Sequence, residues 1–170
     1  MNWLWDQLHD CFDTNDGSLP EFRVTYFDRQ AMVKGFRLLR DRAANINESA
    51  SFWSVTDEAD RAIDSVPNAA ALVVSGEAEA FHFVACGIRS GATVLPDLGV
   101  FVFDDELALD YRMGPDWGPA KLCAFFDLVA DLTSLDSDAT LSFAEQYYPG
   151  ADKRLTSAWR KFQEERTKQA

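Results

Sequence analysis

Two apolar runs separated by three acidic residues constrain the fold of this chain most strongly. The segments LGVFVF (98–103) and LALDYRM (107–113) are rich in aliphatic and aromatic residues, and DDE (104–106) lies between them. This pattern is typical of two strands joined by a tight turn. The runs AALVVS (70–75) and AFHFVACGI (80–88), separated by GEAE, predict another hairpin just before it. The middle of the chain is therefore expected to form an antiparallel meander.

Helical patterns surround this meander. The first dozen residues place Trp5, Leu8 and Phe12 on one side of a short amphipathic helix. Three further segments have apolar stripes at helical spacing: Met32, Phe36 and Leu39 after the N-cap residue Asp28; Leu122, Phe125, Phe126, Val129 and Leu132; and Leu155, Ala158, Trp159 and Phe162 near the C-terminus.

The remaining segments give shorter signals. FRVTYF (22–27) alternates like a strand, and SFWSV (51–55) is consistent with a short one. TDEADRAIDSV (56–66) predicts a helix opened by Thr56, with acids in the first turn where they suit the helix dipole. Residues 137–148 fit either a strand or a short helix.

Length and organisation favour one folding unit. A chain of 170 residues is large enough to bury a sizeable core, and no repeat or long linker divides it. The sequence therefore predicts a single α+β domain over residues 1–170. It should contain an antiparallel sheet of about four to six strands, amphipathic helices packed on that sheet, and a C-terminal helix.

Negative charge is concentrated in the middle of the chain. The formal net charge is −12 at pH 7, and residues 43–152 contain 19 acids and 4 bases, whereas residues 153–170 contain 2 acids and 6 bases. Nucleic acids and anionic membranes are bound chiefly through cationic surfaces, so neither is expected as a partner. The charge favours a basic protein partner. The alternative is that the acidic surface serves only solubility.

Few residues suit a metal site or nucleophilic catalysis. His9 and His82 are the only histidines, and Cys11, Cys86 and Cys123 form no C-x-x-C pair and are interpreted as buried free thiols. The chain lacks the glycine-rich nucleotide motifs, the H-E-x-x-H zinc motif and the G-x-S-x-G motif. We therefore expect no cofactor, metal or catalytic residue, and a small-molecule ligand is not favoured. His82 is interpreted as a partly exposed sheet histidine, with a general base as the alternative.

The segment LALDYRMGPDWG (107–118) connects the meander to the next helix. Alternation places Leu107, Leu109 and Tyr111 on one side of a strand. The other side is expected to carry a short-range opposite-charge pair, Asp110 and Arg112.

The end of this segment is interpreted as a structural turn between a strand and a helix. Asp116 stands where an N-cap is expected, Pro119 suits the first helical turn, and Trp117 is expected to fold back on the sheet. Arg112 and Trp117 are also the best candidates for exposed anchors of a partner, because Trp and Arg are frequent in binding hot spots. The candidate partner-binding residues are Asp104, Asp105, Glu106, Asp110, Arg112, Asp116 and Trp117, the first three being solvated turn carboxylates or part of an acidic docking face.

The order of elements over residues 70–133 resembles small acidic immunity proteins encoded beside bacterial polymorphic or contact-dependent toxins. The resemblance lies in a meander that ends in LALDYRMGPDW and is followed by an amphipathic helix. It implies a cytoplasmic α+β protein that binds one toxin domain and blocks its active site or its access to substrate. It implies no catalytic residues. The alternatives are an adaptor or structural protein of another pathway, and an enzyme without a local motif.

The N-terminal segment does not resemble a secretory signal. MNWLWDQLHDCFD has no basic leader, and Asp6 and Asp10 interrupt its apolar residues. No apolar stretch is long enough to span a bilayer. A cytoplasmic location is therefore expected.

Overall fold

The chain alternates short strands with helices. The structure, a computed structural model, describes residues 2–144 and 149–169. The helices in these ranges are α1 (Asn2–Leu8), α2 (Arg29–Arg42), α3 (Ala69–Ser75), α4 (Pro119–Thr133) and α5 (Ala151–Gln169). The strands are β1 (Glu21–Thr25), β2 (Asn45–Ile46), β3 (Ser51–Ser54), β4 (Ala59–Ala62), β5 (Phe81–Cys86), β6 (Arg89–Ser90), β7 (Thr93–Val94), β8 (Leu98–Val102), β9 (Glu106–Tyr111) and β10 (Thr140–Ala144).

Six strands form one antiparallel sheet in the order β10-β1-β9-β8-β5-β2, and β3-β4 and β6-β7 form separate two-stranded ladders. The predicted hairpin at 98–113 is confirmed. β8 pairs with β9 from Leu98 opposite Tyr111 to Val102 opposite Leu107. The N–H of Phe103 donates to the carbonyl of Glu106 at 2.9 Å and closes the turn. The chain thus has the predicted α+β fold, with a C-terminal helix.

The helices cover one face of the six-stranded sheet. Alternate strand residues, among them Val24, Leu109 and Tyr111, are fully buried and belong to the same apolar cluster as the helical stripes. Every stripe residue predicted for α2, α4 and α5 is buried. The apolar stripe predicted for α1 is only partly confirmed, because Trp5 is half-buried. Hydrophobic burial on this one face therefore holds the helices to the sheet.

Aromatic rings fill the centre of this core. Phe12, Phe22, Tyr111, Trp117 and Phe125 form a network whose contacting ring centroids are 4.6–6.3 Å apart. The hydroxyl of Tyr111 donates to the carbonyl of Cys11 at 3.0 Å. The network therefore joins the N-terminal segment, β1, β9 and α4.

The basic C-terminal helix is bound to the N-terminal segment of its own chain. Arg154 donates from Nη1 to Oδ2 of Asp10 at 2.9 Å and from Nη2 to the carbonyl of Gln7 at 2.7 Å. The hydrogen bond from Arg154 holds the pKa of the Asp10 carboxyl below its ordinary value. Trp3 Nε1 also donates to Glu165 at 2.9 Å. Part of the positive charge at the C-terminus is thus used within the fold.

Two sequence predictions are wrong. AALVVS, predicted as a strand, lies in α3, which is capped by the side chain of Asn68 and ends at Gly76 in the left-handed conformation (φ 79°). These caps outweigh the strand preference of Val73 and Val74. Residues 56–66, predicted as a helix, contain the turn and second strand of the β3-β4 hairpin and a 3-10 turn at Ile63–Ser65.

The ambiguous segment 137–148 contains β10, which pairs with β1 from Thr140 opposite Thr25 to Ala144 opposite Glu21. Residues 145–148 of that segment lie outside the described residues. None of the helices in the described part of the chain combines the length and hydrophobicity needed to cross a lipid bilayer.

The aromatic network should dominate the stability of the fold. We expect Phe125→Ala to lower the free energy of unfolding by about 3–5 kcal/mol, because it leaves a cavity among four other rings. The matched control is Phe27→Ala, since Phe27 is 86% exposed, and it should change stability by less than about 0.5 kcal/mol. Urea unfolding measures both values, and similar losses for the two variants would contradict this description of the core.

Candidate functional site

The sheet face opposite the helices is only partly buried, and we call it the open face. On β1, Phe22 and Val24 point to the core, whereas Glu21, Arg23 and Thr25 are half-buried on the open face. The strand register extends this alternation across the sheet. The open face also carries Glu106, Ala108 and Asp110 of β9, Gly99 and Phe101 of β8, and His82 and Val84 of β5.

An aspartate–histidine pair crosses the middle of the open face. Asp110 is on β9 and His82 is on β5, with β8 between them, so the two strands are about 10 Å apart. The pair forms because Gly99, directly opposite Asp110 on β8, has no side chain. A Cβ atom added to Gly99 would lie 2.0 Å from Oδ2 of Asp110. The carboxylate therefore lies over Gly99, and its Oδ2 is 2.9 Å from Nε2 of His82.

The two partners of this pair differ in exposure. The Asp110 side chain is 12% exposed, whereas the His82 side chain is 36% exposed and its ring packs on Phe101, with centroids 4.3 Å apart. The sequence expectation that Asp110 forms an opposite-charge pair with Arg112 is wrong, because Asp110 pairs with His82. Within residues 2–144 and 149–169, His82 is the only hydrogen-bond partner of the Asp110 side chain, through Oδ2. Oδ1 therefore remains available as an acceptor.

A cleft of about 730 Å³ opens beside this pair. Its charged lining consists of the carboxylates of Asp97, Asp110 and Asp116 and the guanidinium of Arg112, together with His82. Leu19, Val84 and Pro96 supply apolar parts of the wall. Three aspartates against one arginine in this lining make the cleft acidic. The structure thus brings together three of the predicted partner-binding residues, Asp110, Arg112 and Asp116.

The chain corner that follows β9 forms one wall of the cleft. Gly114 lies there with a positive φ of 152°, and its N–H donates to the carbonyl of Phe12 at 2.8 Å. Asp116 is exposed, and the prediction that it caps α4 is wrong, since Gly118 occupies the N-cap and Pro119 the first turn.

Trp117 folds back on the sheet as predicted. Its Nε1 donates to the carbonyl of Arg112 at 2.8 Å, and its ring stacks edge-on against Tyr111. The side chain belongs to the aromatic core and the residue is only 5% exposed. The expectation that Trp117 is an exposed anchor is therefore wrong, whereas Arg112 is exposed.

The acidic turn lies at the other end of β9, about 13 Å along the strand from Asp110. Asp104 forms an ion pair with Arg29 at 3.0 Å. Glu106 accepts a hydrogen bond from Thr25 at 2.9 Å, and the carbonyl of Asp105 accepts one from the N–H of Tyr26 at 2.7 Å. This turn is therefore tied to neighbouring elements and does not contribute to the cleft.

Sequence reasoning missed two residues of the site, Asp97 and Gly99. The interpretation of His82 as a partly exposed sheet histidine is confirmed, but its partner was missed because nothing in the sequence links it to Asp110. A glycine inside a strand often marks the close approach of another group, so Gly99 was a usable signal.

A second exposed region was also missed because residues 56–66 were predicted to be a helix. Trp53 is 41% exposed and Val55 is 47% exposed, and both lie at the β3-β4 hairpin. Exposed Asp60 lies directly opposite Trp53 on β4, and the N–H of Glu79 donates to the carbonyl of Trp53 at 3.0 Å on the other side. This hairpin therefore presents an exposed tryptophan between acidic residues.

The cysteines and the second histidine of the described residues do not form a reactive or metal-binding group. Cys11 is buried as predicted, and burial raises the pKa of its thiol to about 11, whereas Cys86 and Cys123 are only half-buried. The second histidine, His9, is exposed and pairs with Asp13 at 3.2 Å. In the part of the chain that the structure describes, no three His, Cys, Asp or Glu residues are grouped in a way that could hold a metal ion.

Comparisons with protein-family models, with curated proteins and with solved structures found no match to this chain.

The Asp110–His82 pair should depend on the missing side chain at residue 99. We expect Gly99→Ala to lower the free energy of unfolding by about 1–3 kcal/mol, because the new methyl group displaces the carboxylate. The double variant Gly99→Ala/Asp110→Ala removes the clash, so its loss should be smaller than the sum of the two single losses. Urea unfolding of the three variants tests this, and additive losses would show that the carboxylate does not lie over Gly99.

Proposed function

We propose that this protein binds a basic protein partner, and that the partner is a toxin domain of a bacterial polymorphic or contact-dependent system. In this proposal the chain is a cytoplasmic immunity protein. It acts by covering the active site of the toxin or its access to substrate, and it catalyses no reaction.

The open face and its cleft carry this proposal. A solvated sheet face ordinarily presents polar side chains. Here the half-buried rings of Phe101 and Phe103 stack with centroids 6.0 Å apart, and Asp110 lies almost fully buried nearby. An apolar centre with polar groups around it is the usual composition of a protein–protein interface.

Charge supports a basic partner. The chain carries a formal net charge of −12, and Asp97, Asp110 and Asp116 line the cleft. Toxins that attack nucleic acids have cationic clefts, since they bind a polyanion. An acidic inhibitor gains association rate and selectivity from the complementary field. Part of the positive charge of α5 is already used within the chain, since Arg154 pairs with Asp10 and Arg166 with Asp131.

One observation favours an enzyme as a second candidate. A histidine hydrogen-bonded to a buried aspartate in a cleft is the arrangement of a general base. Among the described residues, the cleft lining includes no Ser, Thr, Cys or Lys. The candidate reaction would therefore rely on His82 and the aspartates, as acids and bases or as nucleophiles.

Co-expression tests the proposal. The proposal predicts that a large protein is encoded next to this chain. The probe is the C-terminal domain of that protein, which should be toxic when it is produced alone in bacteria. We expect the chain to restore growth, and the double charge reversal Asp97→Lys/Asp116→Lys to abolish this protection by repelling the basic partner. The matched control is Asp41→Lys/Glu164→Lys, which changes the net charge equally at exposed helix positions and should still protect.

Association kinetics separate the possible explanations. The rate of binding should fall steeply as ionic strength rises, because long-range attraction is screened. Three results would contradict the proposal. They are a neighbouring domain that is not toxic, an association rate that does not change with ionic strength, and equal effects of the two double variants on protection. Loss of protection in His82→Gln without loss of binding would instead favour the enzyme.

A further inference from the structure

We infer that the cleft beside Asp110 is a socket for one arginine side chain of the basic partner, an inference that rests on the proposed function. The starting point is an acceptor with an unusual position. Asp110 is 8% exposed, its Oδ2 is bonded to His82, and no described residue donates to its Oδ1. No buried side-chain oxygen or nitrogen of the described residues lacks a partner, so this Oδ1 is open to solvent and can accept a further hydrogen bond. A donor brought in by a partner would complete its hydrogen bonding.

The walls of the cleft suit a guanidinium group. Leu19, Val84 and Pro96 offer apolar surface to the flat faces of the group and to the methylene chain that carries it. The exposed carboxylates of Asp97 and Asp116 lie on the same lining and can receive the remaining N–H donors.

Arginine fits this arrangement better than lysine. Its planar group presents five donors in fixed directions and is less strongly hydrated than an ammonium group, so it loses less on entering a partly apolar cleft. Because several acceptors are distributed around the cleft, a forked donor can use more of them than a point charge.

Arg112 lines the same cleft and is the cation that a partner arginine would meet there. Its side chain forms no ion pair with Asp97, Asp110 or Asp116 in the structure, and the residue is exposed. Arg112 therefore does not itself occupy the binding position beside these aspartates, but its positive charge should weaken the binding of another cation there. Removing that charge should strengthen binding, which gives the inference a test by gain of affinity.

A small probe tests the socket without the partner. Acetyl-arginine amide is titrated into ¹⁵N-labelled protein at low salt, and the backbone signals of Gly99, Asp110 and Gly114 are followed. We expect saturable shifts confined to the cleft, weaker binding of acetyl-lysine amide, and no saturable shifts with the neutral isostere acetyl-citrulline amide. Asp110→Asn should raise the Kd at least about tenfold, the effect of losing a hydrogen bond to a charged group.

Control variants keep the result independent of folding. Asp41→Asn removes an equal charge from an exposed site on α2 and should leave the Kd unchanged. Asp97→Asn changes an exposed residue of the lining and keeps a side-chain oxygen for its hydrogen bond with Cys86, so it should weaken binding even if Asp110→Asn fails to fold. Arg112→Gln should lower the Kd.

The outcomes distinguish this inference from the proposed function. Equal shifts with the citrulline probe, equal effects of Asp97→Asn and Asp41→Asn, or weaker binding in Arg112→Gln would overturn the socket. If the neighbouring domain is neutralised while the probe fails, the proposed function holds and the socket is wrong. If the probe binds while the domain is harmless, the cleft binds guanidinium but the proposed partner is wrong.

Discussion

Burial of one sheet face and exposure of the other determines most of what this protein can do. The strand alternation sends Leu107, Leu109 and Tyr111 into the aromatic core, where the helices cover them. The same alternation sends Asp110 to the opposite face. Because the helices pack on the core side, the rigid centre of the sheet is also the floor of the open face. A binding site built on strands is held more precisely than one built on loops.

The missing side chain at Gly99 turns this face into a specific site. Without it, Asp110 could not lie across β8, and a carboxylate on β9 would not reach an imidazole on β5. The pair fixes one carboxylate oxygen and leaves the other at the edge of an acidic cleft. A single small residue thus links strand packing to the electrostatics of the candidate binding surface.

Helices and strands whose apolar residues recur at regular spacing could be predicted from the sequence, whereas contacts between residues far apart in the sequence could not. The β8-β9 hairpin and the stripes of α2, α4 and α5 were predicted because they depend on local alternation and helical spacing. The segment of α3 was mistaken for a strand, since Val73 and Val74 outweighed the caps in that interpretation. Trp117 was expected to be exposed because its burial depends on Phe12, about a hundred residues away. The Asp110–His82 pair depends on strand order, which the sequence does not state.

Hydroxyl-radical footprinting of the complex with the neighbouring domain tests the central claim most directly, because oxidation reports the exposure of side chains. His82 and Phe101 on the open face are reactive enough to follow. Phe27 and Trp53 are exposed elsewhere and serve as references. The account predicts that binding protects His82 and Phe101 and leaves the references unchanged. Protection of Trp53 with undiminished oxidation of His82 and Phe101 would show that the partner binds the β3-β4 hairpin instead of the open face.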